Sequence, residues 1–123
     1  MQFEEVSIHD VLVVRVHESR IVADVAPQFK EGLIAYVNSG KKSVVLDLSE
    51  VTFIDSSGLG ALIGSLKAMG KGGELALCSA RDGVISMLKL TRMDKVFRIF
   101  ATPEEAASAL SSRKGAGSET PHP

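Results

Sequence analysis

Between Ser43 and Met69 the spacing of the apolar residues changes once, abruptly, and that change restricts the fold more than any other feature of the chain. "SVVLDL" is a nearly continuous, β-branched run, which a strand carries when it is covered on both faces or lies inside a sheet. After Asp55 the apolar residues fall at Leu59, Leu62, Ile63, Leu66 and Met69, the i, i+3, i+4, i+7 pattern of an amphipathic helix. "GKGG", Gly70 to Gly73, ends that helix because glycine turns left-handed without steric cost, and "ELALC" resumes as a strand. A buried strand, a crossover helix and a second buried strand are the unit of a parallel sheet.

The flanking segments extend the pattern. "FEEVSI" and "VLVVRV" surround His9-Asp10 and read as an antiparallel hairpin. Val25, Phe29, Leu33 and Val37 recur every fourth residue on a helix beginning near Asp24, whose carboxylate is placed to cap it, with Pro27 in the first turn. Arg81 to Leu90 reads as a short helix with Val84, Ile85 and Leu88 inward, and "KVFRIF" as a strand. In "TPEEAASAL", Thr102 as cap, Pro103 at the first helical position and Glu105 three residues after the cap make a capping box. The expected architecture is a single α/β domain over residues 1–110: a mixed, mainly parallel sheet of about five strands, about four helices and an N-terminal antiparallel hairpin. Residues 111–123 lose their apolar side chains and gather Gly, Ser and Pro, the composition of a disordered tail.

Several functions are disfavoured by what the chain carries. Its 123 residues suit one domain, and 14 basic against 15 acidic side chains, net charge -1, give no attraction for nucleic acid or an anionic membrane as main partner. No apolar stretch is long enough for membrane insertion, and the acidic "MQFEEVSIHD" start does not resemble a secretory signal, so a cytoplasmic location is expected. The single cysteine, Cys78, allows no intrachain disulfide and reads as a buried apolar residue. His9, His17 and His122 have no partners at ligand spacing, so neither a metal nor a cofactor is expected. "DSSGLG" has Ile54 where a nucleophile elbow needs glycine, and a hydrolase built on Ser57 lacks a base; "GKGGEL" lacks the Ser or Thr of a phosphate-binding loop. The chain is read as a non-enzyme.

The break itself, "FIDSSGLG", sets Asp55, Ser56 and Ser57 at a helix N-terminus, where backbone amides lack internal partners. Two readings apply: the acid and hydroxyls cap the end, worth about 1 kcal/mol, or a phosphate on Ser56 or Ser57 is accommodated by the open donors and the positive helix end. Gly58, Gly60 and Gly64 cost about 1 kcal/mol each in a helix relative to alanine. They serve either tight packing on the chain's own sheet through Gly60 and Gly64, or close approach of a partner over Gly58.

The stretch from about Val44 to Phe100 resembles the STAS domain family, most specifically bacterial anti-sigma-factor antagonists: Asp-Ser-Ser-Gly-Leu-Gly after a buried strand, the following helix, Gly-Gly before "ELALC" and the "TRMDKVFRIF" ending come in the expected order. The resemblance implies a non-enzymatic binding module that docks on an anti-sigma factor, itself a serine kinase, and is released when phosphorylated; a PP2C-type phosphatase reverses the modification. It implies Ser56 as phospho-acceptor and Asp55, Ser56, Ser57, Gly58 and Leu59 as partner-binding residues. The segment "HESRIVAD" departs from the family, with Val22 where an acidic residue usually stands before the first helix. STAS domains also serve in transport, so the alternative is a separate soluble subunit of a lipid or anion ABC transporter.

Overall fold

The structure, a computed structural model, describes residues 1–111. The expected tail, apart from residue 111, lies outside them. Strands β1 (Gln2–Ile8) and β2 (Val11–His17) pair antiparallel, from Gln2 opposite His17 to Ile8 opposite Val11, across the two-residue turn His9-Asp10. Strands β4 (Ser43–Asp47), β6 (Glu74–Cys78) and β7 (Ile99–Phe100) then add in parallel, giving the order β1-β2-β4-β6-β7. Four helices complete the α/β fold: α1 (Ala26–Val37), α2 (Ser56–Met69), α3 (Asp82–Leu90) and α4 (Pro103–Leu110).

The unbroken apolar run of β4 has its cause in the layers. Val44 and Leu46 point into a core with Leu12, Val14, Leu75 and Leu77, covered by Phe29 and Leu33 of α1, Leu59 and Leu62 of α2, and Val84 and Leu88 of α3. On the opposite face Val45 meets Val11, Val13, Ala76 and Cys78 under Ala106, Ala107 and Leu110 of α4. Each fully buried Val, Leu or Phe stabilises this arrangement by about 1.5–3 kcal/mol. Asp47, at the end of β4, is buried as well; its carboxylate accepts from Arg15 Nε at 3.1 Å and from the Ser49 amide at 2.9 Å.

Four expectations change in detail. Asp24 is exposed and does not cap α1: Val22 O accepts the amides of Val25 and Ala26, both at 2.9 Å, so a backbone turn leads into the helix and Val25 occupies the cap position with no side-chain bond. "KVFRIF" is mostly not strand. A 3-10 turn over Met93–Lys95, entered through Arg92 at φ 65°, swings Phe97 into the core, and only Ile99 and Phe100 pair with β6. Ile85 is only partly covered, because α3 touches the core mainly through Val84 and Leu88. At α4 the Glu105 amide donates to Thr102 Oγ1 at 3.1 Å, and the reciprocal half of the box is not formed.

A second sheet was not anticipated. Arg20–Ile21 (β3) and Phe53–Ile54 (β5) pair in parallel, Arg20 with Phe53 and Ile21 with Ile54. This two-stranded ribbon carries the chain from β4 directly into α2.

Candidate functional site

The start of α2 is held by one carboxylate used twice. Asp55 leaves the β5 strand with its amide bonded to Ile21 O at 3.2 Å, and its extended backbone (φ -104°, ψ -173°) is that of a helix cap. Its Oδ1 accepts from the Gly58 amide at 3.0 Å, and its Oδ2 accepts from the Ala23 amide at 3.2 Å. One side chain therefore caps α2 and fastens the segment leading into α1. The Leu59 amide is already paired with Asp55 O at 3.0 Å. The amides of Ser56 and Ser57 find no acceptor among the described residues, and both side chains are exposed.

The next two residues turn the other way. Gly58 is buried, and a Cβ placed on it would stand 2.6 Å from Ile21 O and 2.6 Å from Ile54 Cγ1. Leu59 is a core residue. Both were expected at the contact surface; the helical stripe that begins at Leu59 puts them against the β3–β5 ribbon and the main core instead. The alternatives for the glycines are likewise rearranged. Gly58 makes the tight internal contact, Gly64 lies against the aliphatic end of Lys30 on α1, and Gly60 is exposed with nothing within 4 Å of an added Cβ.

The accessible surface at the site is therefore Ser56, Ser57 and Gly60. It continues into an open groove between α1 and α2 lined by Ala23, Ala26, Pro27, Lys30, Ser57, Gly60 and Ala61. On the ribbon, Arg20 stacks over the Phe53 ring, 4.7 Å from guanidinium carbon to ring centre. Neither Lys30 nor this stack was anticipated. Lys30 could have been found on the exposed side of the α1 stripe, whereas the stack depends on strand pairing that two-residue strands do not announce.

Among the described residues no group of three or more His, Cys, Asp or Glu side chains is placed to hold a metal. Cys78 lies under α4, where burial pushes its thiol up to about 12. What the arrangement offers is two hydroxyls in solvent at a helix start, above a fixed carboxylate.

Comparison with known proteins now decides the family: the STAS domain matches residues 2–106. The chain belongs to the STAS domain family. Over 82 residues this STAS domain is 34% identical to the anti-sigma-B factor antagonist of Listeria monocytogenes, covering 64% of the chain and 70% of that protein. The crystal structure of an anti-sigma factor antagonist from Mycobacterium paratuberculosis superposes with a TM-score of 0.80 at 28% identity, over 89% of this chain and 92% of the other. An anti-sigma-factor antagonist (STAS) domain protein from Planctomyces limnophilus gives 0.82 at 24% identity, over 89% and 98%, a likeness of fold alone. The anti-sigma factor antagonist family, to which these relatives tie the STAS domain, is non-enzymatic. Among its described residues no helix is long and apolar enough to cross a membrane.

Proposed function

We propose that this STAS domain is an anti-sigma-factor antagonist controlled by phosphorylation of Ser56. Unphosphorylated, it binds a cognate anti-sigma factor that is also a serine kinase, and thereby frees a sigma factor; modified, it lets go, and a PP2C-type phosphatase restores it. Asp55 fixes the helix start, Ser56 receives the phosphoryl group, and Ser57 and Gly60 extend the surface on which the partner lies. Gly58 and Leu59 support that surface from inside.

The observation that carries the reading is the exposure of the Ser56 side chain at the first position of a helix whose cap is already filled by Asp55. Because the cap is Asp55, the Ser56 hydroxyl is not needed for folding and is free to be modified. The added charge, about -1.5 to -2, arrives on a docking surface without unfolding anything beneath it. A tenfold loss of affinity requires about 1.4 kcal/mol, and a dianion desolvated against a partner without an opposing cation costs more than that.

The test uses the purified chain and its cognate kinase. Ser56→Ala is expected to abolish labelling with unchanged fold and binding, and Ser56→Asp to weaken binding by tenfold or more. Full labelling of Ser56→Ala would place the modification elsewhere. Copurification with an ABC permease, together with no phosphate on Ser56 in cells, would overturn the reading in favour of a transporter subunit.

A further inference from the structure

The far end of α3 carries a surface that the Ser56 switch does not use. Leu90, the last residue of the helix, is 79% exposed, the most exposed large apolar side chain described, and Val96 is 49% exposed in the segment that follows. Lys89, Arg92 and Lys95 lie within the same eight residues, all exposed. Their side chains make no hydrogen bond or ion pair with another described residue, whereas nearby Arg98 is paired with Glu74 at 3.1 Å. Asp94 is the one acid among them. Lys89 has a local reason to be there, since a cation complements a helix C-terminus. Arg92 has none. It holds a left-handed backbone, φ 65°, that glycine adopts freely and other L-residues avoid, and its side chain has no intramolecular partner to compensate.

Two exposed apolar side chains and three unpaired cations, on a helix end and a turn, match a surface that is anionic outside and apolar just beneath. They are too few to supply the roughly 800 Å² per side that a stable protein interface buries, and a lipid surface demands no matching shape. We infer that the α3 C-terminus and the turn after it form a weak, reversible docking patch for an anionic bilayer surface, with Leu90 and Val96 entering the headgroup boundary and Lys89, Arg92 and Lys95 meeting lipid phosphates. This is contact in the plane of the interface, and it needs no membrane-spanning helix. The patch lies at the opposite end of α3 from the β4–β5 connection. The α3 N-terminus sits by the β4–β5 connection, where Arg81 Nε donates to Ser49 O at 2.7 Å, and a nine-residue helix carries the patch about 13 Å further along.

The test is cosedimentation of the full chain with vesicles of equal parts phosphatidylglycerol and phosphatidylcholine, against vesicles of phosphatidylcholine alone. Binding is expected only to the first, and its loss in about 1 M salt, where charges are screened within about 3 Å. Leu90→Ser should weaken it about tenfold, the scale set by withdrawing one leucine from apolar contact. Arg92→Gly is the decisive variant: it should weaken vesicle binding about fivefold while raising the melting temperature, because the left-handed position becomes unstrained. A purely structural Arg92 would not couple those opposite signs. Ser56→Ala should bind vesicles like the unaltered chain, which separates this inference from the switch. No binding to the anionic vesicles, equal binding to neutral ones, or indifference to both Leu90→Ser and Arg92→Gly would overturn it. So would an acidic protein partner that binds through Leu90 and Arg92 while the vesicles do not.

Discussion

Alanine at Gly58 and alanine at Gly60 should have opposite effects, although the two glycines are two residues apart on one helix. At Gly58 the new methyl would lie 2.6 Å from Ile21 O and from Ile54 Cγ1, and 3.0 Å from Ile21 Cγ2. Ile21 O cannot yield freely, because it accepts the Asp55 amide at 3.2 Å and so sets the register between the ribbon and the start of α2. Overpacking of this kind costs about 1–3 kcal/mol, while removing a helical glycine returns at most about 1 kcal/mol. The net expectation is a loss of about 1–2 kcal/mol. At Gly60 no atom lies within 4 Å of the added methyl, and the same substitution should stabilise by about 0.5–1 kcal/mol. Urea denaturation reads both. With a slope of about 1–3 kcal/mol per molar urea, the Gly58→Ala midpoint should drop by roughly 0.3–2 M and the Gly60→Ala midpoint should rise, at unchanged slope. Equal midpoints for the two variants would refute the assignment of Gly58 to the inside of the helix and Gly60 to the outside. The same pair bears on the proposed switch, since Gly60→Ala would alter the proposed docking surface without harming the fold.

Asp55→Ala removes the α2 cap and the bond to the Ala23 amide together, so a loss of about 1–2 kcal/mol is expected, with hydrogen exchange accelerating at both Gly58 and Ala23; acceleration at only one would break the proposed bridge. His17 sits between Glu50 and Glu4, its ring nitrogens 3.0 and 2.8 Å from their carboxylate oxygens, and these bonds raise its pKa, the Glu50 contact most. Stabilisation is then complete below the ordinary imidazole value of about 6.5 and is lost as pH rises through the higher folded value. His17→Gln should remove that decline in a pH series of unfolding midpoints, and an unchanged decline would assign it to another group. Cys78 is buried, with its thiol pushed up to about 12. It should resist a thiol reagent near pH 8 in the native state and react at the rate of opening, whereas immediate full modification would contradict its place beneath α4.

The parts of this fold that sequence made plain are those where one physical demand acts alone. The Val44–Val45–Leu46 run has no alternation because α4 covers one face of the sheet and α1, α2 and α3 cover the other. Gly70 and Gly72 stop α2 with φ of 72° and 83°, as a glycine-rich terminator should. Where two demands compete, sequence was ambiguous. Asp24 has the chemistry of a cap, but a backbone turn through Val22 O had already satisfied the amides. Leu59 belonged by spacing to the buried stripe and by resemblance to the contact set, and packing favoured the stripe. The β-branched and aromatic residues of "KVFRIF" suit a strand, yet the left-handed turn at Arg92 redirects the chain so that Phe97 fills the core before pairing begins. The β3–β5 ribbon escaped notice because two residues per strand leave no periodicity to detect. At the site, Asp55 and the exposed hydroxyls were legible as a helix-start pattern, while the open face of Gly60 and the Lys30 groove depend on how α1 crosses α2.

The doubled grip of Asp55 has a consequence for evolution at this position. Since the aspartate's carboxylate, and no serine hydroxyl, fastens both segments, its neighbour is released from that duty: the residue next door can be exchanged while the pedestal beneath it keeps its shape.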